Sequence, residues 1–124
     1  MKPTEKLSEL RINLPTPPPA AGLYKPAWID GSLLYFSGHL PLQQDGSLLT
    51  GRIGTDMSIE EGAAAARLVG VNILATVNKV LGTVDRVERV IKLLGMVQAG
   101  EDFTGHPQVI NGWSELFKEI WGED

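Results

Sequence analysis

The stretch YFSGHLPL at residues 35–42 concentrates the side chains best suited to chemistry. An apolar run ends there at Ser37-Gly38, and His39, Leu40 and Pro41 follow. One reading has the Ser37 hydroxyl and nearby amides line a cleft, with Gly38 allowing close ligand approach. The other is a strand end that needs an unusual φ. His39 titrates near neutral pH and is able to move protons; a lone histidine equally serves as a surface or interface hydrogen-bonder. Tyr24 stands upstream of Ser37. Its phenol either holds a water or a substrate nitrogen, or sits in an interface with its hydroxyl satisfied. No nucleophile elbow and no Ser/His/Asp set accompany these groups. His39 and His106, far apart among scattered carboxylates, are no metal pattern, so no metal is expected.

Composition narrows the field further. The chain has 124 residues, 43% of them hydrophobic, which suits one domain with a core of its own. There are no cysteines, which removes disulfides, thiolate zinc sites and cysteine nucleophiles. The net charge is −4 and no Lys/Arg run exists, so nucleic acid is an unlikely partner. The first residues contain no apolar signal-peptide core. No uninterrupted apolar stretch reaches the ~18 residues of a spanning helix. The expectation is a cytoplasmic protein with no membrane partner.

These side chains need elements to position them. Residues 1–22 read as a peripheral arm, ending in the proline-rich LPTPPPAAG, and residues 23–124 as a single domain. Asp30-Gly31 between apolar runs at 27–29 and 33–37 predicts a β-hairpin. Asp45-Gly46 repeats the device in a looser, glycine-rich excursion. Ser58 and Glu61 form a capping box for a long helix that Gly82 stops. Ile59, Ala63, Ala66, Gly70, Ile73, Val77 and Leu81 give it one apolar face. Arg67 on this helix is expected to pair with a glutamate of the same helix. A one-turn helix at 84–87 and a strand at about 89–97 follow. A second helix runs from about 107 to 120, with Pro107 in its first turn and an apolar stripe from Val109 to Ile120. Gly54, Asp56 and Met57 read as turn and cap geometry. After strand, helix, strand and helix, the chain is expected to return to its sheet, so the last strand or strands look missing.

GLYKPAWIDGSLLYFSGHLPL, GTDMSIEEGAAAARLVGVNILATVNKVLG, DRVERVIKLLGMV and DFTGHPQVINGWSELFKEIWG together resemble the YjgF/Rid family, formerly termed L-PSP endoribonucleases. That family's signature is Ser-Gly-Gln, an aliphatic residue and Pro; here it stands as Ser37-Gly38-His39-Leu40-Pro41. The proline-rich arm and the wording VINGWSELF are similar to a less-studied subgroup of longer proteins.

The resemblance implies an α+β, chorismate-mutase-like fold: a mixed β-sheet with two helices on one face. It also implies a homotrimer around a central barrel-like core, with a small-molecule ligand in each intersubunit cleft. Family enzymes hydrolyse reactive enamines and imines, such as 2-aminoacrylate, to keto acids and ammonia without metal or organic cofactor. By this likeness Tyr24, Ser37, His39 and Asn111 are the catalytic candidates, and Gly38, Leu40 and Pro41 the ligand-binding ones. Asn111 is the nearest match to an amide on the second helix; aligning from the preceding Asp-Phe puts Pro107 there, and aligning from the helix puts Ile110. Deaminating members also use a carboxylate-binding arginine on a strand after that helix and a late glutamate, both of which would lie beyond Asp124. The alternatives are a non-catalytic metabolite-binding or sensor trimer and, more weakly, an endoribonuclease.

Overall fold

The predicted hairpin forms, one residue out of step with its sequence signal. In the computed structural model, which describes residues 1–20 and 22–122, β1 (Ala27–Asp30) pairs antiparallel with β2 (Leu33–Phe36). Asp30 lies opposite Leu33, so the two-residue loop is Gly31-Ser32, not Asp30-Gly31. Gly31 has φ +62° and Ser32 is not in the left-handed region. A turn with glycine first and only one positive φ matches type II′, which suits the strand twist. Ile29, Leu34 and Phe36 share one face of the ribbon, and Leu34 packs on the core. Trp28, Leu33 and Tyr35 share the other face and are exposed.

Three helices build the core. α1 (Pro3–Glu9), α2 (Ile59–Leu81) and α3 (His106–Trp121) bring together Leu7, Ile73, Leu74, Val77, Leu116 and Phe117. The capping box of α2 forms: the Ser58 hydroxyl accepts from the Glu61 N–H and the Glu61 carboxylate from the Ser58 N–H. Gly82, φ +83°, ends the helix in the left-handed region. α2 is long and apolar enough to cross a membrane by length and composition alone, contrary to the sequence expectation. Its residues 72–77 are instead buried within the fold. α2 and α3 meet closely at small residues. A Cβ on Gly70 would lie 2.9 Å from Leu116, and one on Gly112 would run into the Ala63 backbone. Trp113 stacks on Phe117 with ring centres 3.8 Å apart. Arg67 reaches Glu119 of α3 at 3.6 Å, so its partner is across the helix pair rather than on its own helix.

The proline-rich arm begins with a docked helix. Leu7 is buried, and the Thr4 N–H and hydroxyl both donate to the Asp85 carboxylate at 2.8 Å. These bonds, the backbone one foremost, hold the Asp85 carboxyl below its usual range.

The strand expected at 89–97 does not form. The segment is not in a ladder, and its contacts with other backbone begin only at its end, where Ile53 N–H donates to Gln98 carbonyl and Gly100 N–H to Ile53 carbonyl. Ile91, Leu94 and Met96 are exposed. Apolar, β-branched sequence supplies strand propensity, but a strand needs a hydrogen-bonding neighbour. The sheet among the described residues is therefore the two-stranded hairpin, with isolated bridges beside it.

Candidate functional site

The end of β2 and the loop after it are shaped by hydrogen bonds from two directions. From the hairpin side, the Ser37 N–H and hydroxyl both donate to the Pro26 carbonyl, at 3.1 and 3.2 Å. This closes the base of the hairpin and brings the Tyr24 segment beside Ser37. Because the Ser37 hydroxyl spends its proton on Pro26, its lone pairs stay available as acceptors. Tyr24 is exposed.

From the helix side, two buried polar residues of α2 reach up to the loop. Asn72 and Thr76 are each only 3% exposed. The Asn72 amide donates to the Leu40 carbonyl at 3.2 Å and the Leu42 carbonyl at 3.0 Å. Thr76 Oγ1 lies 2.9 Å from His39 Nε2, while His39 Nδ1 lies 3.0 Å from the Ser37 carbonyl. Phe36 packs edge-on against the His39 ring, centres 5.9 Å apart. Burial lowers the His39 pKa, and the hydrogen bond to Ser37 opposes that shift without cancelling it. The imidazole is neutral at pH 7.

Gly38 is informative because nothing in this chain requires it. Its φ is not positive, and a Cβ there would meet open space. The reading of an unusual φ at the strand end does not hold. His39, Leu40 and Pro41 line a cleft of about 360 Å³ between the 93–98 segment, α2 and α3. The remaining wall is apolar apart from a few groups such as Gln98. Trp113 also borders it, 8% exposed, and its indole N–H finds no acceptor among the described residues.

The catalytic candidates divide. Tyr24, Ser37 and Gly38 gather at the hairpin base, and His39, Leu40 and Pro41 continue from them into the cleft. Asn111 stays apart: it is exposed on α3 and does not line the cleft, whereas Ile110 does. Pro107 is exposed at the helix start. Among the described residues, no three His, Asp or Glu side chains converge as metal ligands do. Asn72 and Thr76 were absent from the sequence candidates. Their signal was two polar residues four apart in an otherwise apolar helix stretch, which puts them on one face.

The sequence matches the family described as YjgF/chorismate mutase-like, putative endoribonuclease, over residues 5–124. The chain belongs to the YjgF family. Much of the segment read as a separate arm lies inside the family match. The protein named TCP17 of Trypanosoma cruzi is 36% identical over 118 residues, covering 95% of this chain and 74% of that protein. Among solved structures, one titled as a putative endoribonuclease of Shewanella oneidensis superposes with a TM-score of 0.93 at 35% identity, covering 99% of this chain and 82% of its own. A protein of unknown function from Agrobacterium tumefaciens gives a TM-score of 0.85 at 39% identity, covering 98% of this chain and 75% of its own. The YjgF, chorismate-mutase-like fold is thus shared by this chain, with helices and a small antiparallel sheet.

Proposed function

We propose that this YjgF-family chain hydrolyses small reactive enamines or imines to keto acids and ammonia. The observation that carries the reading is Gly38: a glycine in the family signature that this chain's own packing does not explain, next to Ser37 and the Tyr24 segment. A close-approaching ligand explains it. In the proposed reaction, water adds to the iminium carbon to give a carbinolamine. The C–N bond then breaks with the nitrogen protonated, leaving a carbonyl and releasing ammonia. The Tyr24 phenol orients the water, and the free Ser37 lone pairs accept from the substrate nitrogen. The reading includes a cytoplasmic homotrimer, with the exposed Trp28, Leu33 and Tyr35 face as contact surface. It also includes a further strand beside the unpaired 89–97 segment.

The test is ammonia release from 2-aminoacrylate generated in situ; a rate equal to buffer removes the proposal. One observation favours a second reading, a non-catalytic metabolite-binding trimer: both His39 ring nitrogens are taken up within the chain. Calorimetry with keto acids checks it, and no heat with any of them rejects it. Endoribonuclease activity, which the relatives' names carry, has least support, given a net charge of −4.

A further inference from the structure

We propose that His39, Thr76 and Asn72 form a clamp by which α2 sets the shape of the 37–42 loop, with His39 a positioning residue rather than the base that moves a substrate proton. The clamp stands on hydrogen-bond geometry; only its consequence for turnover rests on the deaminase reading.

The argument starts from a carbonyl oxygen, which accepts and never donates. The Ser37 carbonyl is 3.0 Å from His39 Nδ1, so Nδ1 carries the hydrogen. In the neutral ring, Nε2 is then a bare lone pair. The Thr76 hydroxyl, 2.9 Å away, donates to it. A general base needs a lone pair within reach of the proton it takes. The one lone pair on this ring is already filled, and by a buried group.

Thr76 has a second acceptor, the Asn72 carbonyl one turn back at 3.3 Å. If His39 gains a proton, Nε2–H donates to Thr76 Oγ1, and the Thr76 hydroxyl turns to that carbonyl. The contact survives both states through one hydroxyl rotation. The groups touching the ring from the hairpin, the loop and α2 are Phe36, Ser37 and Thr76, and none titrates near neutral pH.

Asn72 does the rest. Its amide offers two hydrogens, and they go to the Leu40 and Leu42 carbonyls on either side of Pro41. The Leu42 N–H also donates to the Leu40 carbonyl at 2.8 Å, a three-residue turn centred on Pro41. Residues 72 and 76 therefore grip the loop at both ends.

An amide side chain carries one donor group and one acceptor, as the Nδ1–H imidazole does, so His39→Gln preserves the clamp. His39→Leu preserves neither half. The first test is NMR of the His39 ring nitrogens in the wild-type protein. The clamp predicts the neutral Nδ1–H form, with the Nε2 shift moving in Thr76→Val but not in Thr76→Ser. An Nε2–H form, or a ring indifferent to Thr76→Val, overturns it. The second test is kinetic. His39→Gln is expected to keep kcat within about threefold with an unchanged acid limb in the kcat/KM profile, while His39→Leu loses activity. A fall in His39→Gln of the 10²–10⁴-fold size typical of a lost general acid or base overturns the positioning role. A wild-type enzyme without activity defeats the functional reading, and the NMR result still decides the clamp.

Discussion

Gly38 separates folding from function within one residue. Its Cβ position is open and its φ ordinary, so Gly38→Ala is expected to change unfolding free energy by less than about 0.5 kcal/mol, the usual range for surface substitutions. Activity or ligand affinity should fall at the same time. Denaturant melts beside turnover check this; a variant equally stable and equally active removes the main support for a ligand at the signature. His39 makes a prediction about pH. Its folded pKa lies below the unfolded value of about 6.5, so the unfolded chain binds the proton more readily. This contribution to stability is complete above about pH 6.5 and lost as pH falls through it toward the folded value. Asp45 and Asp85, also lowered, act in the more acidic carboxylate range. Melts between pH 5 and 7 should therefore show a slope that His39→Gln flattens. The Ser37–Pro41 signature was legible from residue types alone. The partners of His39 were not, because Thr76 lies 37 positions away and only the fold brings it near. Asn111 shows the reverse error: the right residue type, turned to solvent.

At the scale of elements, local chemistry was readable and pairing was not. Ser58, Glu61 and Gly82 marked the ends of α2 through caps that need only neighbouring residues. The hairpin slipped by one because Asp-Gly and Gly-Ser are both good turn pairs, and cross-strand register decided between them. The 89–97 segment had the apolar content of a strand, but a strand is a relation between two segments. Leu7 was read as part of a peripheral arm, and its burial depends on α3 and the turn at Val84. The close α2–α3 approach offers a sharp test. A methyl on Gly112 would meet the Ala63 backbone, which cannot swing aside as a flexible side chain does. Gly112→Ala is expected to destabilise the fold by about 3 kcal/mol, the upper end for overpacked sites. An unchanged melting temperature would mean that the two helices do not pack as described.

For the whole molecule, exposed apolar surface is the chief feature. Trp28, Leu33 and Tyr35 lie on one face of the hairpin, and the Lys25 ammonium sits 4.5 Å above the Trp28 ring. Ile91, Leu94 and Met96 add a second exposed set. Isolated apolar residues on a surface are ordinary, but adjacent ones mark contact sites. Light scattering should give a trimer for the wild type and smaller species for Trp28→Glu with Tyr35→Glu; a wild-type monomer would remove the assembly from the proposal. The chemistry itself has one direct measurement: ammonia release from 2-aminoacrylate, wild type beside Tyr24→Phe and buffer. The proposed function predicts clear acceleration by the wild type and a marked loss in Tyr24→Phe. Wild-type release no faster than buffer would contradict it.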